Sequence, residues 1–312
     1  MLNEHQLRLI SDTAQLLGLR EPIIEKDYYI TQVIHLLSAI KNEYFQLIFC
    51  GGTCLAKAHK LVQRMSEDVD FKVQCKTTEN FSRSRLKNEL NKFRTQIRST
   101  LIVPDLSVTN DVARNEGKYQ QIIMTYPLSF PIGSTLRPDI KIEFTFSDIL
   151  LSVDELEIKT IIEDSLKVNL FTPPTTKCIS IDETGVEKWV GLTRRIIAIE
   201  RGREDDDKTL IRHVYDLNAI KQANKINANF VEHAKTIIVN DGKQFKNQHP
   251  EYAADPGTEI RQSLTLLKDK SIWRERYEEF IEAMVYDSTN TLSYDEAITV
   301  LEGISANVIN NL

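Results

Sequence analysis

The sequence predicts an α+β protein: a mixed sheet with flanking helices, followed by a mainly helical C-terminal lobe. Three observations carry this. The apolar run Phe45–Cys50 is broken by Gly51-Gly52, continues at helical spacing through Leu55, Ala58 and Leu61-Val62, and gives way to the alternating stretch Ser66–Val73. A second stretch, Arg137–Phe146, alternates cleanly. Beyond residue 180 the apolar residues recur at helical rather than strand spacing. A chain of 312 residues suits two packed lobes, and Thr172-Pro173-Pro174 marks the passage between them, giving expected domains 1–172 and 173–312.

Taken in order, residues 3–17 form an amphipathic helix, and Pro22 opens a second that ends near Ile40. Glu25-Lys26-Asp27 lies in its first turns, and spacing alone favours a solvated turn with intrahelical ion pairs. After the Gly-Gly turn, helix and acidic strand comes a loop at Cys75–Thr78, then a helix over residues 80–99. That helix is basic: Arg83, Arg85, Lys87, Lys92, Arg94 and Arg98 oppose Glu89. It is either packed on the sheet with its charges in water or a phosphate-contacting face for RNA. The stretches around Leu106–Thr109 and Tyr119–Tyr126 read as a hairpin, Arg137–Phe146 as the next strand, and Leu156–Ile162 as a further short strand.

Helices are expected over about 183–202, 209–217, 228–240, 257–268, 269–285 and 291–312, with a polar loop at 241–256. The acidic turn Glu204–Asp207 reads as a solvated loop, and the aromatic stripe Trp273, Tyr277, Phe280 as core.

Composition narrows the function classes. A net charge of −6 excludes a polycation, so any nucleic-acid contact must use a local basic face. The four cysteines, Cys50, Cys54, Cys75 and Cys178, lack the paired spacing of a zinc site and read as free thiols in a reducing cytoplasm. No apolar run reaches the ~18 residues of a membrane span, so no membrane association is expected.

The chemistry concentrates at residues 50–72. Gly51-Gly52 lets backbone approach a ligand and leaves amides free for phosphate oxygens, and Thr53 could cap the helix and offer a hydroxyl. Lys57 on that helix is a further nucleotide-binding candidate. On the following strand Asp68 and Asp70, two apart, project from one face while Val69, Phe71 and Val73 face the core. Two carboxylates so close repel unless a cation lies between them, and Mg²⁺ takes one or two carboxylates plus substrate phosphates. On the strand 137–146, Glu143 is the candidate third acid of a metal clamp, and Lys141 could pair with it or meet a phosphate; the alternative is the polar face of an edge strand. Further on, His213 and Asp216 are close enough to share a helix face.

The order strand, Gly-Gly-Thr, helix, Asp-x-Asp strand resembles the core of the DNA polymerase β-like nucleotidyltransferases. Within them the chain resembles the AbiEii/AbiGii-type (MenT-like) nucleotidyltransferase toxins. The residues that carry this are Ile24–Thr31, Phe49–Ala58, Arg64–Asp70, Ile140–Glu143, Glu187-Lys188 and Arg212–Leu217. Cys50 stands where such proteins often have a basic residue, and Cys54 where they often have serine.

The resemblance implies that Gly52, Thr53 and Ser66 hold a triphosphate, that Asp68 and Asp70 bind Mg²⁺, that Lys188 meets the nucleotide's phosphates, and that Asp216 is a late acid of the site, with the C-terminal lobe completing it. It also moves Glu25-Lys26-Asp27 from solvated turn toward pocket rim. The implied activity is transfer of an NMP from an NTP to an RNA, a tRNA 3′ end among the acceptors, by a cytoplasmic toxin with a cognate antitoxin. A protein acceptor, and a non-catalytic nucleotide- or RNA-binding regulator, stay open beside it.

Overall fold

A computed structural model describes residues 2–77, 81–133, 136–286 and 291–312. Thr78, at the end of the expected loop, and Asn80, at the start of the expected basic helix, lie outside the described residues. The chain divides into two compact units: Met1–Lys60 with Met65–Ile179, and Leu61–Arg64 with Ser180–Leu312.

The first unit opens with helices α1 (Glu4–Leu17) and α2 (Glu21–Ser38). Asn3 and Gln6 cap α1 reciprocally, and Gly18 ends it in the left-handed conformation. Then come strand β1 (Phe45–Cys50), helix α3 (Gly51–Lys57), strand β2 (Asp68–Cys75) and helix α4 (Arg83–Thr100). A hairpin, β3 (Ser107–Arg114) and β4 (Tyr119–Thr125), precedes β5 (Asp139–Phe146), β6 (Val153–Glu157), helix α5 (Ile161–Leu166) and β7 (Thr175–Ile179). The stretch read as a strand over Leu156–Ile162 is therefore the end of β6 and the start of α5, whose break is set by the Thr160–Glu163 capping box.

All seven strands form one sheet in the order β3-β4-β5-β2-β1-β7-β6. It is mixed: β2 runs parallel to β5 and β1 parallel to β7, while the β1–β2, β3–β4, β4–β5 and β6–β7 pairs are antiparallel. Strand β7 follows the proline pair and pairs with β1 at Phe49 and Cys178. One sheet face packs Phe49, Phe71, Val69, Ile142 and Phe144 into a core where Phe71 and Phe144 rings stack 6.0 Å apart. Burying these rings and aliphatics contributes about 2 kcal/mol each. The opposite face carries Asp68, Asp70, Lys141 and Glu143. Since β5 lies between β4 and β2, Glu143 is not on an edge strand.

The second unit is helical: α6 (Ile181–Glu200), α7 (Arg212–Gln222), α8 (Ala228–Phe245), α9 (Pro250–Ala254), α10 (Pro256–Asp269), α11 (Ser271–Met284) and α12 (Tyr294–Ile309). Ser180 caps α6 by accepting from the Glu183 amide. The expected polar loop at 241–256 is instead the end of α8 and the short α9, because Pro250 starts a helix that buries Tyr252. Trp273, Tyr277 and Phe280 are buried, as a core stripe should be. The acidic turn is less solvated than expected: Glu204 accepts from Arg194 and Arg195, and Asp206 pairs with Arg276 at 2.6 Å. Among the described residues no helix is long and apolar enough to cross a membrane.

Candidate nucleotidyl-transfer site

The site is built where β1 turns into α3 beside β2. Cys50 is the last extended residue, and Gly51 takes φ +78, the left-handed region open to glycine. A Cβ on Gly51 would fall 2.2 Å from Asp70 Oδ2, so this glycine is what lets the Asp70 carboxylate lie against the turn. Thr53 does not cap α3, which begins two residues before it. Its buried hydroxyl instead lies 2.8 Å from Ser66 Oγ and contacts the Asp68 carbonyl, tying α3 to the entrance of β2.

Parallel pairing of β2 with β5 sets Asp68 opposite Lys141 and Asp70 opposite Glu143. Lys141 Nζ lies 2.9 Å from Glu143 Oε2 and 3.6 Å from Asp68 Oδ1. Burial works against the Lys141 ammonium, but Asp68 and Glu143 outweigh it and hold its pKa above the ordinary lysine value. Glu143 also accepts from the Tyr119 hydroxyl, with Gln121 Nε2 at 3.4 Å. The structure thus brings Asp68, Asp70, Glu143, Lys141, Gly51, Thr53 and Ser66 to one end of one sheet.

Lys57 is placed differently from the expectation of a nucleotide contact. It is almost fully buried, and its ammonium is taken by Asp27. Glu25, Lys26 and Asp27 are likewise buried, which overturns the solvated-turn reading from spacing. The i, i+4 pattern reports neighbours on one helix and is blind to elements packed around it. Here Asp27 also accepts from the Ile161 amide at 2.7 Å, Glu25 from the Ser129 amide at 2.8 Å, and Lys26 donates to Glu67 at 2.7 Å. Burial lowers the Lys26 pKa despite Glu67, so the pair depends on its geometry.

Two groups at the site were missed from sequence. Arg137 donates to the Asp68 carboxylate, and Glu67 accepts from the Arg137 amide at 2.8 Å. Arg137 lies just before β5, where no periodicity singles it out. Glu67 is masked by its neighbour Asp68, whose side chain points elsewhere.

A Mg²⁺ ion would require oxygen donors that converge. Asp68 and Asp70 supply two hard carboxylates on one sheet face, and Gly51 keeps space at the second, so these residues fit an ion that completes its shell with phosphate oxygens and water. Among the described residues no group of three or more His, Cys, Asp or Glu is gathered to hold a metal, and Glu143 is engaged by Lys141 and Tyr119.

The second unit holds its own charged cluster. Asp216 on α7 is fully buried and accepts two bonds from Arg64, each 2.7 Å, and one from Lys188 on α6, 2.9 Å away. Burial alone would raise the Asp216 pKa, but Arg64 and Lys188 outweigh it and hold the carboxylate well below its usual range. The His213 ring has its Nδ1 3.3 Å from the Lys188 carbonyl. Burial first, then the Lys188 charge, push its pKa down to about 3.

Two predictions arise here. Gly51→Ala is expected to cost about 1–2 kcal/mol from the left-handed backbone alone. By displacing Asp70 it should also slow transfer about a hundredfold; urea unfolding and label transfer measure the two separately. The second concerns pH. Since the His213 pKa is lowered on folding, its stabilising effect is full above the unfolded value near 6.5 and is lost as pH falls from there toward 3. Between pH 7 and 5 the loss is expected to be about 1–2 kcal/mol, and His213→Gln should flatten the slope of stability against pH over that range.

The mixed sheet, with a Gly-Gly turn feeding a helix and two acids on the next strand, is the arrangement that the resemblance to nucleotidyltransferases leads one to expect. In sequence, the family described as nucleotidyl transferase AbiEii toxin, type IV toxin–antitoxin system, matches residues 36–300. The chain belongs to this family of nucleotidyltransferase toxins. Among solved structures it is similar to MenT4, a nucleotidyltransferase toxin from Mycobacterium tuberculosis H37Rv, at 15% identity and a TM-score of 0.42, over 94% of this chain and 98% of that one. No curated relative matches the chain.

Proposed function

We propose that this toxin transfers a nucleoside monophosphate from an NTP to an RNA hydroxyl, a tRNA 3′ end being the acceptor class the family reading favours. The observation that carries the proposal is the packing of the Asp70 carboxylate against Gly51, beside Asp68 and one strand from Glu143. In the reaction the acceptor oxygen bonds to the α-phosphorus, the bond from that phosphorus to the bridging oxygen breaks, and pyrophosphate leaves. Asp68 and Asp70 would hold Mg²⁺, which when bound neutralises the triphosphate and polarises the α-phosphoryl group. Gly51 and Gly52 keep the turn open to phosphate oxygens, with Thr53 and Ser66 shaping it. Glu143, the third acid, takes the acceptor's proton, and Tyr119 and Lys141 hold it in place. The family resemblance gives Lys188 the nucleotide's phosphates, and within the second unit the buried Asp216 would be a positioning residue for that ammonium.

An RNA acceptor is supported by α4, where Arg83, Lys92 and Arg98 are largely exposed on a helix of strongly basic composition within an acidic protein. The family implies a cognate antitoxin partner.

The test incubates the purified protein with Mg²⁺, each α-labelled NTP and total tRNA, beside an Asp68→Ala, Asp70→Ala double variant. Label entering RNA with the intact protein alone is the expected result and identifies the base. Label on protein would replace the RNA acceptor with a protein hydroxyl. Nucleotide binding without label anywhere would favour a non-catalytic regulator.

A further inference from the structure

We propose that Arg137 is an internal counter-ion that holds Asp68 while the site is empty and passes to the triphosphate when an NTP binds, so that it tunes both metal affinity and nucleotide affinity. This rests on the reading of Asp68 and Asp70 as the metal-nucleotide acids.

Four observations carry it. The Arg137 guanidinium is bonded to the Asp68 carboxylate, which would also have to face a divalent cation. Two cations cannot share one carboxylate oxygen without repulsion, so occupation by Arg137 and by a metal compete. Second, the Arg137 backbone is anchored independently of its side chain. Its amide donates to Glu67 at 2.8 Å, and its carbonyl accepts from Lys26 Nζ at 2.8 Å. Glu67 and Lys26 are themselves a buried pair, so the guanidinium can swing about its side-chain torsions while its Cα stays fixed.

Third, the fork of donors is underused. Arg137 Nε is buried without a hydrogen-bond partner, and Glu67 Oε2 is 4.0 Å away. A guanidinium that meets one carboxylate oxygen retains donors for the bidentate geometry phosphates prefer. Fourth, the Arg137 side chain is 39% exposed and that of Asp68 31%, so their ion pair contributes little to stability. A stabilising role does not account for it, whereas a ligand entering from solvent reaches both groups. Lys141, 3.6 Å from Asp68, stays to balance the acids after Arg137 leaves.

The experiment measures Mn²⁺ binding to the full-length protein without NTP, following the free-ion signal by electron paramagnetic resonance, in wild type, Arg137→Gln and Arg137→Lys. Label transfer to RNA gives KM and kcat for each. Removing the counter-ion is expected to tighten Mn²⁺ binding about tenfold. The KM for NTP should rise at least about tenfold, with a smaller fall in kcat. Arg137→Lys, which keeps the charge but not the fork, should bind Mn²⁺ like wild type while still showing a raised KM.

A merely structural arginine would lower the melting temperature and leave Mn²⁺ affinity unchanged or weaker, which overturns the proposal. If Arg137→Gln does not fold, Arg137→Lys decides, since an unchanged KM in that variant also overturns it. Should wild type bind no Mn²⁺ and transfer no label, the reading of the site itself falls and this inference with it. Active wild type with unchanged affinities in both variants removes the inference alone.

Discussion

Asp70→Asn is expected to reduce nucleotidyl transfer by on the order of 10³-fold while leaving the fold in place. The substitution keeps the shape of a side chain that lies against Gly51, so the turn and the β2–β5 pairing persist. What it removes is one of three carboxylate charges on this sheet face, beside Asp68 and Glu143. Charge developing on the α-phosphoryl group is stabilised by groups set in place before reaction, and an amide oxygen is a far weaker partner for a hard cation than a carboxylate. Label transfer to RNA and thermal unfolding should therefore separate cleanly. A variant that retains more than about a tenth of wild-type transfer would remove Asp70 from the catalytic set.

The second large effect is on stability. Arg64→Leu is expected to destabilise the second unit by about 3–5 kcal/mol, because it strips two hydrogen bonds from a fully buried carboxylate and leaves Asp216 with Lys188 alone. For a unit of this size that corresponds to a melting-temperature fall of roughly 10 °C or more. The double variant Arg64→Leu, Asp216→Leu should be less destabilised than the sum of its parts, since it removes the stranded charge as well as its partner. Additive losses in the cycle would show that the two residues act independently. The linkage has a definite sign. The Asp216 pKa is lowered on folding, so the contribution is full at neutral pH and is lost as pH drops below about 4, the unfolded carboxylate's value.

Much of this was legible before any coordinates. β2 and β5 follow from alternation between apolar and polar residues, because a strand with one buried face must repeat every second residue, and β1 follows from an apolar run of strand length. Asp68 and Asp70 sharing a face is a consequence of the same period. The helical lobe follows from apolar residues recurring at helical spacing, a property local to each helix. The family is legible because its short motifs keep their order along the chain.

What the tertiary structure decided concerns residues whose partners are distant in sequence. Strand β7 is five residues long and too short for a periodic signal; it exists because β1 and β6 offer it backbone partners on either side. Glu25, Lys26 and Asp27 look like a solvated turn until the Ile161 and Ser129 amides and Glu67 are packed around them. Lys57 reads as a free cation on α3 until Asp27 is packed against it. Arg64 meets Asp216 across 152 residues, and Arg137 meets Asp68 across 69. Periodicity and capping are short-range properties that the sequence by itself determines. Which charge neutralises which is set by Coulomb interactions and desolvation in a particular packed geometry, and those depend on distances that exist only after the chain has folded.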